Sequence, residues 1–425
     1  MQRGRVRRIA APAEATLKRP RRPQDMLVVI ETHPIQYHAP VYRRLQQSFQ
    51  IPVTAIYGSD FSVSGYTDQE FRARFAWDSD LLAGYNAVFL TRTSGGEGLT
   101  TEGVRTVGLE ETLRTISPEA ALIVGYRPRF HQEAFHRARR AGLPILFRGE
   151  TTDHAARRSA LKAWVRDRAL RWFYSRCDGL LYVGKRSCEH FLRLGCAEHK
   201  LFFSPYCVDT QVFRCDDGDR TTLRQVTRQR LGVLDSQRLL LFSGKLSPRK
   251  GPELLVRAVK EFPTSIRKSV VIGYVGSGEL RGPLEALAQA TPAVIAKFVG
   301  FQNQTQLSSY YHAADVLVLP SLHSETWGLV VNEALHHGVP CVVSDAVGCA
   351  PDLIEPGATG ELFQAGSIQD LGAALRRAMT LIGRSDVRQA CREKVSGYTV
   401  DKAAEGIAKA YRSVARARRP GSGND

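Results

Sequence analysis

Short, continuous apolar runs recur along this chain, and a stretch of helical length separates most of them from the next. Met26-Leu-Val-Val-Ile-Glu31 is the first such run. A strand that is apolar on both faces must be covered on both sides. That is the condition of a parallel sheet flanked by helices. Runs at 53–57, 88–90, 120–124, 145–148 and 179–183 read the same way, with helices expected at 103–116, 131–141, 155–176 and 185–194. This alternation predicts a doubly wound α/β domain. The polar and aromatic stretch 60–84 interrupts it and shows no assignable regular pattern.

A second series begins at 238. Strands are expected at 239–242, 270–274, 296–299, 316–319 and 341–344, with helices at 252–261, 279–289, 305–312, 329–337 and 368–379. The intervening 209–237 is charged and poor in apolar residues, so it reads as a linker. A chain of 425 residues is long for one core. The expected organisation is a basic, disordered tail at 1–25, a Rossmann-like domain at 26–208, a second at 238–395, and a final helix and tail at 396–425. Two such domains face one another across a cleft. Because Met26 directly precedes the first strand, a translation start at Met26 fits the pattern as well as a tail does.

Lys and Arg outnumber Asp and Glu by 59 − 42 = 17. Such a surplus attracts nucleic acid, anionic lipid or phosphorylated small molecules. No nucleic-acid-binding motif stands at its expected spacing, so nucleic acid is not expected as a partner. The 8 cysteines are scattered without metal-ligand or paired spacing, which suits reduced thiols and a cytoplasmic location. No apolar run approaches the roughly 18 residues of a membrane span. Between Arg157 and Arg176, however, Leu161, Trp164, Val165, Leu170, Trp172 and Phe173 are interleaved with arginines. That helix suits either peripheral contact with an anionic membrane or ordinary packing with a solvated basic face.

Two segments carry chemistry. Leu240-Leu-Phe-Ser-Gly244-Lys245-Leu-Ser-Pro-Arg-Lys250-Gly251-Pro reads as strand, glycine-bearing loop and helix start. Two lysines and a helix amino terminus around a loop of small residues suit a diphosphate. The competing reading is a solvated basic turn. In Ser321-Leu-His-Ser-Glu325-Thr326-Trp327-Gly328-Leu329-Val-Val-Asn-Glu333, strand, loop and helix place two carboxylates eight residues apart. Eight helical residues rise about 12 Å, close to the reach from the ribose to the sugar of a nucleotide-sugar. Each carboxylate can accept from two hydroxyls. Exposed helix glutamates at this spacing are common, so the flanking elements carry the weight.

Together these segments resemble the Gly-Arg-x4-Lys-Gly and Glu-x7-Glu signatures of the family-4 retaining glycosyltransferases, which have the GT-B fold. The resemblance is dense from 239 to about 363. It implies transfer from a nucleotide-diphospho-sugar to a glycan or lipid-linked acceptor, as in cell-surface polysaccharide synthesis, with retained anomeric configuration and no cofactor. Lys245 and Lys250 would neutralise the departing diphosphate, although Lys245 replaces an arginine and lacks its bidentate fork. No Asp-x-Asp metal site stands at a strand end, so the lysines would act in place of a divalent ion. Glu325 would hold the sugar and Glu333 the ribose. Gly244, the Thr326-Trp327-Gly328-Leu329 turn, and Gly300 with Phe301 would line the nucleotide. In the first domain the resemblance points to His33 and to Glu150, which follows a strand beside the donor sugar. The rival enzyme is a GT-B-fold nucleotide-sugar epimerase, which needs no acceptor. The rival from another class is a basic nucleic-acid binder.

Overall fold

A computed structural model describes residues 24–63, 66–68, 73–75, 80–92, 101–154 and 159–418. The tail expected at 1–25 lies outside them, except for Gln24 and Asp25, which open the first strand. In chain order the first half holds β1 (Gln24–Glu31), α1 (Ala39–Phe49), β2 (Val53–Tyr57), β3 (Tyr66–Asp68), β4 (Ala73–Phe75), β5 (Asn86–Phe89), α2 (Leu109–Ile116) and β6 (Pro118–Val124). It continues with α3 (Arg129–Arg140), β7 (Ile145–Gly149), α4 (Ala160–Tyr174), β8 (Gly179–Tyr182), α5 (Lys185–Arg193) and β9 (Leu201–Phe203). Seven of these strands form one sheet in the order β5-β2-β1-β6-β7-β8-β9. All neighbours in it are parallel. β1 lies in its interior between β2 and β6, with Leu27–Ile30 wholly buried, which is why that run carries no polar face. Residues 66–68 and 73–75 pair as an antiparallel hairpin inside the stretch left unassigned above.

The expected helix 103–116 is shorter. A single 3-10 turn covers Thr101–Gly103, and α2 starts only after Gly108, whose φ of 83° sets a break in the chain direction. The three-residue edge strand β9 was not foreseen, since Leu201-Phe-Phe is too short for a period to show.

The second half holds α6 (Asp217–Leu231), β10 (Arg238–Ser243), α7 (Glu253–Lys260), α8 (Thr264–Lys268), β11 (Val270–Val275), α9 (Arg281–Gln289), β12 (Ile295–Gly300) and α10 (Gln304–Ala313). Then come β13 (Val316–Leu319), α11 (Leu329–His336), β14 (Cys341–Ser344), α12 (Ala350–Leu353), β15 (Gly360–Phe363), α13 (Ile368–Met379), α14 (Ser385–Val395) and α15 (Val400–Arg418). Its parallel sheet runs β12-β11-β10-β13-β14-β15. β15, which was not expected from the sequence, forms one edge of this sheet.

Residues 209–237 are not a bare linker. α6 packs on α10, and its anchors are guanidinium groups rather than apolar side chains. Arg224 and Arg228 reach Asp315, at 2.6 and 3.2 Å, and Asp315 also accepts from the Leu239 amide at 2.7 Å. A helix held by buried ion pairs reads as a charged linker on hydropathy alone. α15, in the final segment, returns to the first domain. Ala403, Ala404, Ile407 and Tyr411 join the core of β1 and α1, and Ser204 Oγ donates to the Ala403 carbonyl at 2.9 Å.

Candidate active site

The cleft between the carboxyl ends of the two sheets collects most of the residues singled out above. On the second domain's side, β10 ends at Ser243 and the chain turns through Gly244, whose φ is 143°. β10 and β11 converge here so closely that a Cβ at Gly276 would fall 1.9 Å from the Gly244 carbonyl oxygen. Gly276 is therefore required by the approach of two backbones, whereas Gly244, where a Cβ would meet nothing, is required by its φ. Lys245 follows, half-buried, and a 3-10 turn over Pro248–Lys250 leads into α7. That turn presents two cations to one carboxylate. Lys250 Nζ pairs with Glu325 Oε2, and Arg249 Nη1 approaches the same oxygen at 3.3 Å. Ser321 Oγ donates to it at 3.0 Å. Burial works to raise the Glu325 carboxyl, but Lys250 and then Arg249 outweigh it and hold the group below the usual carboxylate range. Arg249 was not singled out from the sequence. Its signal was the basic run Arg249-Lys250 itself.

Glu333, eight residues on, is enclosed in α11 at 1% exposure. Tyr311 Oη donates to one carboxylate oxygen at 2.5 Å, and Tyr37 Oη, from the first domain, approaches the other at 3.5 Å. Burial pushes this carboxyl up to about 7, against the tyrosine hydrogen bonds that lower it. The two glutamates thus differ sharply: one is an ion-paired carboxylate, the other a buried acid between phenols.

The turn between them joins the domains. Thr326 Oγ1 donates to Glu150 Oε2 at 2.8 Å, and Tyr206 Oη donates to the same oxygen at 2.8 Å. Trp327 is buried at 4% exposure, with its indole N–H on Asn332 Oδ1 at 2.8 Å and its ring between those of Tyr206 and Tyr398. Gly184 of the first domain lies against it, and a Cβ there would stand 2.4 Å from the indole. Trp327 is thus packed in the domain seam. Gly328, at φ 103°, turns the chain into α11, which opens at Leu329. Gly300 ends β12 and accepts from the Gly276 amide at 2.8 Å, with Phe301 next to it. Beside the seam, Arg186 donates to the carbonyls of Val347 and Asp345, and the Lys185 amide donates to Asp352 at 2.9 Å. None of these seam contacts has a sequence signal, because each joins residues far apart in the chain, from 56 positions for Tyr206 and Glu150 to 176 for Thr326 and Glu150.

On the first domain's side lies a chamber of about 520 Å³. Its lining includes Glu150, His38, His131, Arg148 and Thr326. His33 is not part of that lining. Its Nδ1 is 2.9 Å from Thr32 Oγ1, its ring packs on Phe61, and burial lowers its pKa to about 4. His38 instead reaches the chamber, with Nδ1 2.6 Å from the buried Glu31 carboxylate. Among the described residues, no cluster of His, Cys, Asp and Glu could hold a metal ion.

Two parallel-sheet domains, a shared cleft and a cation-bearing loop at a strand end describe a GT-B architecture. Residues 224–396 match the model of the family Glycosyl transferases group 1, so the second half carries a domain of that class. The match starts inside α6, on the segment expected as linker. The particular relatives are D-inositol 3-phosphate glycosyltransferases. That of Mycobacterium marinum is 37% identical over 172 residues, covering 40% of this chain and 34% of that protein. That of Thermomonospora curvata is 37% identical over 179 residues, 40% of this chain and 41% of that protein. The alignments thus span well under two thirds of either relative. Among solved structures, Anabaena HepE in complex with UDP superposes with a TM-score of 0.67 at 16% identity, over 91% of this chain and 100% of that one. Sucrose-phosphate synthase from Thermosynechococcus elongatus gives 0.66 at 16% identity, over 92% and 100%. At that identity the likeness shows the fold.

Proposed function

We propose that this protein is a retaining, metal-independent glycosyltransferase of the family-4 type, moving a sugar from a nucleotide-diphospho-sugar to a glycan or lipid-linked acceptor. The observation that carries this reading is the Lys250–Glu325 pair at the mouth of the Gly244 loop. Breaking the bond from sugar to diphosphate leaves negative charge on the diphosphate. Cations already placed at the loop stabilise that charge without reorganising. Lys250, Arg249 and Lys245 supply it here, and Glu325 is placed to exchange its cation contacts for sugar hydroxyls. Holding donor and acceptor across one cleft supplies the rest of the rate. Uridine is the base to test first, since Anabaena HepE is solved with UDP and with UDP-glucose.

A role in cell-surface polysaccharide synthesis and peripheral contact with an anionic membrane belong to the same proposal. One feature supports the membrane contact. α4 leaves Leu161, Trp164, Val165 and Trp172 at 72, 61, 53 and 46% exposure, amid Lys162, Arg168 and Arg171. Tryptophan rings and cations on one exposed helix suit lipid headgroups. No helix among the described residues is long and apolar enough to cross a membrane.

The test is transfer from UDP-glucose and related donors to a panel of sugars, with the anomeric configuration of the product read by NMR. A retained configuration is expected. An inverted product overturns the retaining mechanism, and conversion of the donor sugar without acceptor points to epimerisation.

A further inference from the structure

The chamber beside Glu150 is built for a negatively charged ligand. Three guanidinium groups line it: Arg127 at the end of β6, Arg148 on β7 and Arg166 from α4. They are not equivalent. Arg166 is matched, lying 3.2 Å from Asp153 and 3.3 Å from Asp167. Arg193 ties the same two carboxylates together from outside. Arg148 is 5% exposed, and its hydrogen bonds go to the carbonyls of Ser204 and Pro205, with its plane over the Tyr206 ring. No carboxylate pairs with it among the described residues. Arg127 is exposed and has neither ion pair nor hydrogen bond among them. Against these two unmatched cations the chamber offers one carboxylate, Glu150, which already accepts from Thr326 and Tyr206.

The neutral groups complete the pattern. His131 is 6% exposed, and both of its ring nitrogens lack hydrogen-bond partners among the described residues. Burial lowers its pKa to about 4, so the ring is neutral at physiological pH and offers one donor and one acceptor, the complement of a hydroxyl. α3 opens at Pro128, in the chamber wall, with no acidic residue in its first turn and no side-chain cap. Its amino end therefore adds partial positive charge. A volume of about 520 Å³ suits one or two sugar rings.

We infer that this chamber binds the acceptor and that the acceptor is a polyhydroxy compound bearing a phosphate or a carboxylate, with its anionic group on Arg127 and Arg148 and a hydroxyl on His131. This rests on the reading of the opposite wall as the donor side.

The test uses the full chain, first titrated calorimetrically with UDP and then, with UDP at saturation, with inorganic phosphate, glucose 6-phosphate, glucuronate and glucose. Glucose 6-phosphate or glucuronate should bind at least tenfold more tightly than glucose, and whichever does so identifies the anionic group. Arg127→Ala should abolish that preference while leaving UDP affinity and melting temperature unchanged. The inference is overturned if no anionic probe outbinds glucose, or if the preference survives in the variant. The UDP titration reports separately on the donor reading, because failure of UDP to bind would count against that reading whatever the anionic probes do.

Discussion

The two walls of the cleft come from sheets of the same parallel build but hold charge in opposite ways. On the wall of the second domain, titratable groups are satisfied in pairs: Lys250 with Glu325, Tyr311 with Glu333. On the wall of the first domain, among the described residues, Arg127 and Arg148 have no carboxylate paired with them and His131 has no hydrogen-bond partner. A wall of matched pairs has its charges balanced before any ligand arrives. A wall of unmatched groups leaves its electrostatic demand for the ligand to meet. The difference teaches that a shared fold fixes where a site lies and leaves its charge logic to individual side chains.

Four experiments press on that comparison. The largest expected effect is at Glu333, the most enclosed of the paired groups. Its folded-state pKa of about 7 lies above the ordinary 4.5, so the stability it contributes is fully present below 4.5 and is lost as pH rises through 7. At about 1.4 kcal/mol per pKa unit, the loss approaches ~3 kcal/mol. Glu333→Gln should therefore gain on the wild type across that window, read from urea melts at several pH values. A stability gap independent of pH would mean that the carboxyl titrates normally and the wall is less closed than described.

Glu325→Ala comes next. It removes a charged contact of about 1.5–3 kcal/mol, so donor turnover should fall roughly 10- to 100-fold with the fold intact. Turnover within threefold of the wild type would remove Glu325 from the chemistry. Lys250→Ala should weaken UDP by about tenfold, near 1.4 kcal/mol, and leave uridine little changed. Equal losses for both ligands by calorimetry would place the lysine away from the diphosphate. The smallest effect is expected outside the cleft. Replacing Trp164 and Trp172 by Ala should reduce flotation with anionic liposomes at low salt, and high salt should reduce it further. Unchanged flotation would make α4 an ordinary packed helix.

The second domain was the more legible half. Its strands stand in the sequence nearly as they do in the fold, because Leu239–Phe242 and Val316–Leu319 are buried on both faces. The residues proposed for its chemistry are local too: Lys245, Lys250, Glu325 and Glu333 lie on loops and one helix that directly follow those strands. The chamber of the first domain was not legible. Arg127, His131, Arg148, Arg166 and Tyr206 come from separate elements, and no short window contains more than two of them. Only the fold brings His131 and Glu150 to one chamber. The seam was hidden for the same reason, and α6 because its packing runs through Arg224, Arg228 and Asp315 instead of an apolar stripe.

The return of α15 to the first domain has a mechanical consequence. β1 and α15 share one core, so the second domain is threaded between two segments that are clamped side by side. If tension were applied between Gln24 and Arg418, it would act first on the packing of α15 against α1 and the sheet edge. The second sheet would feel no load until that clamp let go. A single-molecule pulling record should thus show the first domain yielding before the second, with the proposed donor raising only the later rupture.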